Sequence, residues 1–154
     1  MWSAFAASGV PHAHEAIGAS YTAWQFGYGE AQGDRLLDHV LHGPKRATTG
    51  ALWAYEHDDE PLPVTGTFSV VTDGRGVARC VIRTSSVEVL PFCEVGEQHA
   101  WDEGEGDRSL AYWREGHWSY FVREMESMGR TAVREMPVVF ERFDVVYAPE
   151  IGIA

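Results

Sequence analysis

Two strand-like segments joined by a tight turn are the feature that most constrains what this chain can fold into. Residues 68–71 are aromatic and β-branched, residues 73–76 are typical of a hairpin turn, and residues 78–89 have the pattern of a long strand. Strands joined by so short a turn pair antiparallel, because a parallel connection needs a dozen or more residues. We therefore expect an antiparallel sheet, to which residues 138–147 add a closing strand.

Helical segments are interspersed with these strands, without the regular alternation that a parallel sheet requires. Residues 1–33 have an aromatic-rich helical pattern, with 1–25 as an N-terminal helical extension. Further helices are predicted over 34–41, 95–102 and 108–127. The chain of 154 residues is expected to form a single α+β domain, a curved sheet or small barrel with packed helices.

Net charge limits the ligands that this chain can bind. The formal charge is −11, and non-specific nucleic-acid binding depends on the neutralisation of phosphates. A broad nucleic-acid-binding face is therefore excluded, and RNA would need a small, local basic patch; a small substrate suits the charge better. Cys80 and Cys93 are expected to be reduced, and no signal peptide or membrane span is recognisable, so a cytoplasmic location is expected.

The segment 43–49 is the most unusual part of the sequence. A Gly-Pro pair ends the preceding helix and is followed by Lys45, Arg46, Thr48 and Thr49. A lysine in such a place can act as a base or hold a carbonyl or phosphate oxygen, and a threonine hydroxyl beside a base can act as a nucleophile. A solvated turn followed by a β-forming Thr pair explains the same residues without chemistry. A strand is predicted over 50–55.

An acidic run between glycines is the second candidate. Residues 102–107 contain four carboxylates, among them Glu103 and Glu105. Clustered carboxylates raise one another's pKa, which suits acid–base work, and they can bind a cation. The spacing differs from that of an EF-hand, so no metal is predicted; an acidic cap at a helix N-terminus is the simpler interpretation.

Arginines and aromatic residues offer binding groups elsewhere. Arg79 and Arg83 lie on one face of the predicted long strand and suit either a phosphate or carboxylate ligand or a neighbouring acid. Residues 117–120 form a polar and aromatic patch, although core packing is the expected role of the rings on this helix. No nucleophile elbow, phosphate-binding loop or dinucleotide fingerprint is present, and no cofactor is predicted.

A series of ordered segments carries a family resemblance. A helix runs into a Gly-x-Lys-x-x-Thr pattern, a proline-rich loop and a long strand follow, and an acidic glycine-rich run precedes a helix and the closing strand; these are residues 36–49, 61–66, 81–95, 103–117 and 138–146. In this order they resemble the ASCH domain, a family related to the PUA-like RNA-binding barrel. The resemblance spans 26–147.

The resemblance implies a small β-barrel flanked by helices, with a cleft lined by the lysine motif, that binds RNA or a modified nucleoside. One branch hydrolyses the acetyl amide of N4-acetylcytidine, and its catalytic set falls on Lys45, Thr48 and either Glu103 or Glu105. Another branch is a ribonuclease, and its set falls on Lys45 and Ser119. The family's acid and hydroxyl before the first helix are missing here, where the sequence reads Phe-Gly-Tyr-Gly-Glu over 26–30.

Two functions remain open on the sequence. The first is a hydrolase acting on RNA or a cytidine derivative with the lysine, hydroxyl and acid just named. The second is a non-catalytic RNA- or nucleotide-binding module, and a regulatory domain with a vestigial cleft is a third, simpler interpretation. The predicted substrate-binding residues are Arg46 and Arg83 for phosphate, Trp53 and Trp118 for base stacking, and His39.

Overall fold

The computed structural model describes residues 1–154 and contains five strands and five α-helices. No helix is long and apolar enough to cross a membrane. The elements, in chain order, are α1 (Trp2–Ala6), β1 (Tyr21–Trp24), α2 (Gly29–Leu41), β2 (Ala47–Ala51), α3 (Leu52–Asp58), β3 (Phe68–Thr72), β4 (Ala78–Pro91), α4 (Glu97–Glu103), α5 (Leu110–Ser127) and β5 (Pro137–Tyr147).

All five strands belong to one mixed sheet in the order β1-β3-β4-β5-β2. The hairpin of β3 and β4 is confirmed, β5 pairs antiparallel with both β4 and β2, and only β1 pairs parallel, with β3. Bulges interrupt the β3–β4 and β4–β5 ladders, and bulges bend strands. The expected α+β fold with a curved sheet is confirmed; β1 and β2 are not bonded to each other, so the sheet is curled but does not close into a barrel.

Two local predictions were wrong, and both concern short segments. Tyr21–Trp24 forms an edge strand whose Tyr21 lies in register with Phe68, although its aromatic spacing suited a helix. Leu52–Asp58 forms a helix where a strand was predicted to continue. In segments of four to seven residues, tertiary pairing outweighs local propensity, so periodicity alone could not decide them.

Helices α4 and α5 are fixed to the sheet by a continuous apolar cluster. Phe92, Trp113, Phe121 and Phe140 are its large buried rings, and the ring of Phe92 stacks on that of Trp113 with centroids 5.3 Å apart. A second cluster packs α2 against the opposite part of the sheet. Burial of such rings stabilises a domain by about 2 kcal/mol each. The two clusters therefore fix α2 and α5 on the two sides of the segments 43–49 and 102–107, which carry the polar residues.

The acidic run lies at the C-terminus of α4, not at the N-terminus of a helix as the simpler interpretation predicted. Gly104 ends α4 with φ of +69°, and a Cβ there would lie 2.7 Å from the carbonyl carbon of Pro44 and 2.8 Å from the amide nitrogen of Lys45. The Arg46 amide donates to the Asp102 carbonyl at 2.9 Å. The end of α4 and the start of β2 are thus locked together through their backbones.

We predict that Gly104→Ala lowers the free energy of unfolding by more than about 1 kcal/mol, because alanine is strained at positive φ and its methyl group collides with backbone. Urea unfolding followed by tryptophan fluorescence measures the change. Gly116→Ala is the matched control: Gly116 lies within α5 with nothing within 4 Å of an added Cβ, so it should raise stability by about 0.5–1 kcal/mol. A Gly104→Ala protein as stable as the wild type would contradict the prediction.

Candidate functional site

Lys45 is buried at the junction of α2 and β2, between two carboxylates. Its side chain is 1% exposed, and its Nζ atom lies 2.6 Å from Oε1 of Glu105 and 3.4 Å from Oε2 of Glu103. The Nζ atom also lies 5.4 Å from the centroid of the Phe26 ring. The backbone amide of Lys45 donates to the His39 carbonyl, which ties the turn to the end of α2. The structure thus brings together the lysine and both acids that the sequence singled out.

Glu103 is the centre of the network and receives hydrogen bonds from every side. Its Oε1 accepts from the indole Nε1 of Trp113 at 2.9 Å and from the hydroxyl of Thr49. Its Oε2 faces Lys45 and, at 3.3 Å, the Nε2 atom of His117. Glu103 is 1% exposed, so an ion here must be paired and hydrogen-bonded to exist at all. Four donors, from the turn between α2 and β2, from β2 and from α5, meet this requirement.

His117 is held as an imidazolium by its two contacts. Its Nδ1 lies 3.0 Å from the Trp113 carbonyl, an acceptor only, so this nitrogen carries a proton. Its Nε2 faces a carboxylate oxygen of Glu103, which a second proton satisfies. Burial lowers the pKa of His117, but the charge and hydrogen bond of Glu103 outweigh it, and the net effect is a raised pKa. The imidazole ring stacks on the Trp113 indole at 4.1 Å.

Pairing of opposite charges also keeps Glu103 and Lys45 ionised. Burial raises the pKa of Glu103, but His117 and Lys45 together outweigh it, so the pKa lies well below its usual range. Burial likewise lowers the pKa of Lys45, and Glu103 and Glu105 reverse this effect, so the net pKa is raised. Glu105 differs from Glu103 because its side chain is 24% exposed. Glu105 is therefore the acid of the pair that solvent or a ligand can reach.

The network opens into a large cleft inside the curl of the sheet. The cleft has a volume of about 1070 Å³ and is lined by both edge strands, β1 and β2, and by residues of α3 and α5. Its ionisable lining has three basic side chains, Lys45, Arg35 and His117, against six acids: Asp58, Glu60, Glu103, Glu105, Glu124 and Glu141. No group of three or more potential ligand side chains is placed to hold a metal ion.

Thr48 lines this cleft but is not bonded to the Glu103 network. Regular alternation along β2 places Thr49 on the side of Glu103 and Thr48 on the other face. Thr48 lies in register with Glu141, whose carboxyl accepts a hydrogen bond from Thr84 at 2.6 Å. The hydroxyl of Thr48 has no protein partner and is half-buried. Thr48 and Glu141 therefore form a separate polar part of the cleft wall.

The remaining predicted residues lie outside the cleft. Ser119 is exposed on α5, and its hydroxyl donates to the Glu115 carbonyl at 2.9 Å. Trp118 packs on Phe92, with the guanidinium of Arg134 3.8 Å from its ring. None of the five predicted substrate-binding residues lines the cleft: Arg46, Arg83, Trp53, His39 and Trp118.

Three of those five residues contact other parts of the protein rather than the cleft. The guanidinium of Arg46 donates to the Val40 and Lys45 carbonyls at 3.0 and 2.6 Å, which satisfies the C-terminus of α2. Arg83 pairs with Glu15 at 3.0 Å, as the ion-pair interpretation of this arginine predicted. Trp53 is half-buried against the apolar cluster that contains Phe92 and Phe121.

Sequence reasoning assigned no catalytic or binding role to two groups that the structure places in the cleft. Thr49 and His117 complete the Glu103 network, and a separate cluster consists of Tyr28, Tyr120 and Glu124. One signal was present for His117: it follows Trp113 by four residues, so both side chains lie on one face of α5. No local pattern joins Tyr28 to α5, because their contact spans 96 residues.

We predict that His117 makes stability depend on pH. The pKa of His117 is higher in the folded than in the unfolded protein, so its protonation stabilises the fold. This contribution is fully present below the ordinary pKa of 6.5 and is lost as the pH rises through the folded-state pKa. Urea unfolding from about pH 6 to about pH 9 should show a decline of roughly 1–2 kcal/mol in the wild type. The decline should be absent in His117→Gln and preserved in His57→Gln, since His57 is exposed. Equal pH profiles for all three proteins would contradict the imidazolium.

Comparison with known proteins shows the family to which this chain belongs. The model of the ASCH domain matches residues 22–147, and no curated protein matches the chain. A crystal structure of an ASCH domain from Lactobacillus crispatus JV V101 is similar, with 32% identity, a TM-score of 0.84, and coverage of 93% of this chain and 89% of that one. A protein from Enterococcus faecalis V583 gives 33% identity, a TM-score of 0.75, and coverage of 81% and 76%. The chain therefore belongs to the ASCH domain family.

Proposed function

We propose that the protein is a hydrolase that removes an acyl group from the base of a modified nucleoside, with N4-acetylcytidine as the first candidate substrate. Family membership supports RNA binding at the level of the family. The observation that carries the proposal is the buried Lys45 ammonium beside Glu105, at the wall of an otherwise acidic cleft. The cytoplasmic location expected from the sequence stays a prediction.

The charge of the cleft favours a neutral, nucleoside-sized substrate over an RNA strand. Six acids and three basic side chains line it. Two of the three bases, Lys45 and His117, are already paired with Glu103 or Glu105, so the cleft offers little positive charge to a chain of phosphates. The cleft volume of about 1070 Å³ is in the upper range of small-molecule sites. A ribonuclease reaction has less support, because Ser119 is exposed outside the cleft and bonded to its own helix.

The proposed reaction assigns one role to Glu105 and one to Lys45. A water molecule attacks the acyl carbon, and the Glu105 carboxylate accepts a proton from it. The Lys45 ammonium stabilises the negative charge that develops on the acyl oxygen. The bond from carbon to the exocyclic nitrogen then breaks, the nitrogen takes the proton from Glu105, and cytidine and acetate leave. Thr48, whose hydroxyl is free, is the alternative nucleophile.

Glu103 has a positioning role in this proposal. Its two oxygens are occupied by Lys45, Thr49, Trp113 and His117, so it has no lone pair to offer a substrate. It holds Lys45 charged and in place. This assignment answers a choice that the sequence left open: Glu105 is the proposed acid–base residue, and Glu103 is its support.

One observation favours the alternative, a non-catalytic RNA- or nucleotide-binding module. The charge of Lys45 is paired with Glu103 and Glu105 inside the protein, and a purely structural ion-pair network would look the same. Such a module would bind ligand saturably without product, and its affinity would fall as salt concentration rises.

We predict that Glu105→Gln lowers the rate of cytidine release from N4-acetylcytidine by at least about 100-fold, because the amide keeps the shape but cannot accept the proton. Mass spectrometry of the products measures the rate. Glu97→Gln is the control, since Glu97 is an exposed acid of α4, the helix that precedes Glu105, and lies outside the cleft. Absence of cytidine with the wild type, or full activity of Glu105→Gln, would refute the reaction; binding without product would favour the module.

A further inference from the structure

A second polar cluster lies in the cleft wall, apart from the Glu103 network. Glu124 is a residue of α5 and is only 8% exposed. Its Oε1 accepts hydrogen bonds from the hydroxyls of Tyr28 and Tyr120, each at 3.1 Å. Its Oε2 is buried and has no partner at all. An unsatisfied buried oxygen costs about 1–3 kcal/mol, so the protein bears a cost that a purely structural role does not explain.

The protonation state of Glu124 defines what this oxygen offers. Burial raises the pKa of Glu124, the hydroxyls of Tyr120 and Tyr28 oppose the rise, the charge of Asp58 adds to it, and the net effect is a raised pKa. Two hydroxyl donors fix Oε1 as the carbonyl oxygen, so the acidic proton belongs on Oε2. Glu124 is thus arranged as a neutral acid with an unused donor.

Tyr28 covers this acid in a way that resembles a bound ligand. Its ring stacks on that of Tyr120, with centroids 5.1 Å apart and an angle of 19° between the planes. Its hydroxyl donates a hydrogen bond to Glu124. Yet Tyr28 is 58% exposed, and few contacts hold its ring. Its backbone is fixed separately, because its amide donates to Gln32 at 3.0 Å. A rotation of the side chain alone would therefore uncover Tyr120 and Glu124.

We propose that Tyr120 and Glu124 form a nucleobase-binding subsite of the cleft, and that the ring of Tyr28 occupies this subsite until a base displaces it. The ligand class follows from the chemistry: a flat ring stacks on Tyr120 in place of the Tyr28 ring, and an amino group at its edge donates to Oε1 as the Tyr28 hydroxyl does. A neighbouring ring nitrogen accepts the proton of Oε2, the oxygen that has no partner. This subsite rests on the proposed function for the kind of ligand, a nucleoside, but not on any reaction. Tyr28, Tyr120, Glu124 and Lys45 all line the one cleft.

Binding of cytidine tests the subsite, because cytidine needs no hydrolysis. Isothermal titration calorimetry should show saturable binding to the wild type. Glu124→Met should weaken the affinity for cytidine about tenfold, which corresponds to one lost hydrogen bond in a dry site. Glu124→Gln retains an N–H donor, so its affinity should stay within about threefold of the wild-type value. Tyr28→Ala should bind about fivefold more tightly, because no ring has to be displaced. Glu126→Gln, an exposed change on the same helix, should bind as the wild type does.

Several results would overturn the subsite. These are unchanged affinity in Glu124→Met, weaker or unchanged binding in Tyr28→Ala, or no binding of cytidine to the wild type. If Glu124→Met does not fold, as judged by circular dichroism, Tyr28→Ala decides alone: tighter binding supports the subsite and any other result refutes it. The proposed function fails separately. Cytidine binding that depends on Glu124, without turnover of N4-acetylcytidine, would refute only the hydrolase, and turnover with unchanged affinity in Glu124→Met would refute only the subsite.

Discussion

The buried pairing of Lys45 with Glu103 is the interaction on which the site depends. Each is 1% exposed, and neither charge would be stable there alone, since an isolated buried ion costs several kcal/mol. Their mutual neutralisation, extended by His117 and by the donors Thr49 and Trp113, makes a charged core possible beneath the cleft. The hydrophobic cluster around Phe92 and Phe121 supplies the rigidity that such a network needs, because it fixes α5 on the sheet.

This arrangement separates support from reactivity. The fully satisfied carboxylate lies deepest, and the partly exposed one, Glu105, faces the space where a substrate would lie. Donors with fixed geometry cost no reorganisation when charge develops nearby. The far wall of the cleft differs: Glu124 has one oxygen without a partner, and the exposed ring of Tyr28 lies beside it. The cleft thus combines one satisfied network with one incompletely satisfied cluster.

The sequence predicted the frame of the fold because its signals were local and strong. The Asp-Gly turn, the alternating strand and the long helix followed from spacing, and the pattern around Lys45 with the acidic run carried the family. Tyr21–Trp24 and Leu52–Asp58 were misjudged because sheet pairing and packing, not propensity, determine segments that short. The structure brings Lys45 to Glu103 and Glu105, the two acids that the sequence singled out, and the catalytic roles of the three residues stay a prediction. Arg83 and Trp118 could not be placed, since their partners Glu15 and Arg134 come from other segments of the chain.

The backbone contact between Gly104 and the Pro44–Lys45 peptide also has a consequence for folding kinetics. Lys45 and Glu103 are 58 residues apart in sequence, and contacts at such separations form only after costly loop closure. Until that closure, Lys45 and Glu103 are ordinary hydrated side chains of a partly ordered chain. Their burial therefore comes with the docking of the two turns, and we expect the charged core to form together with that docking and not before it.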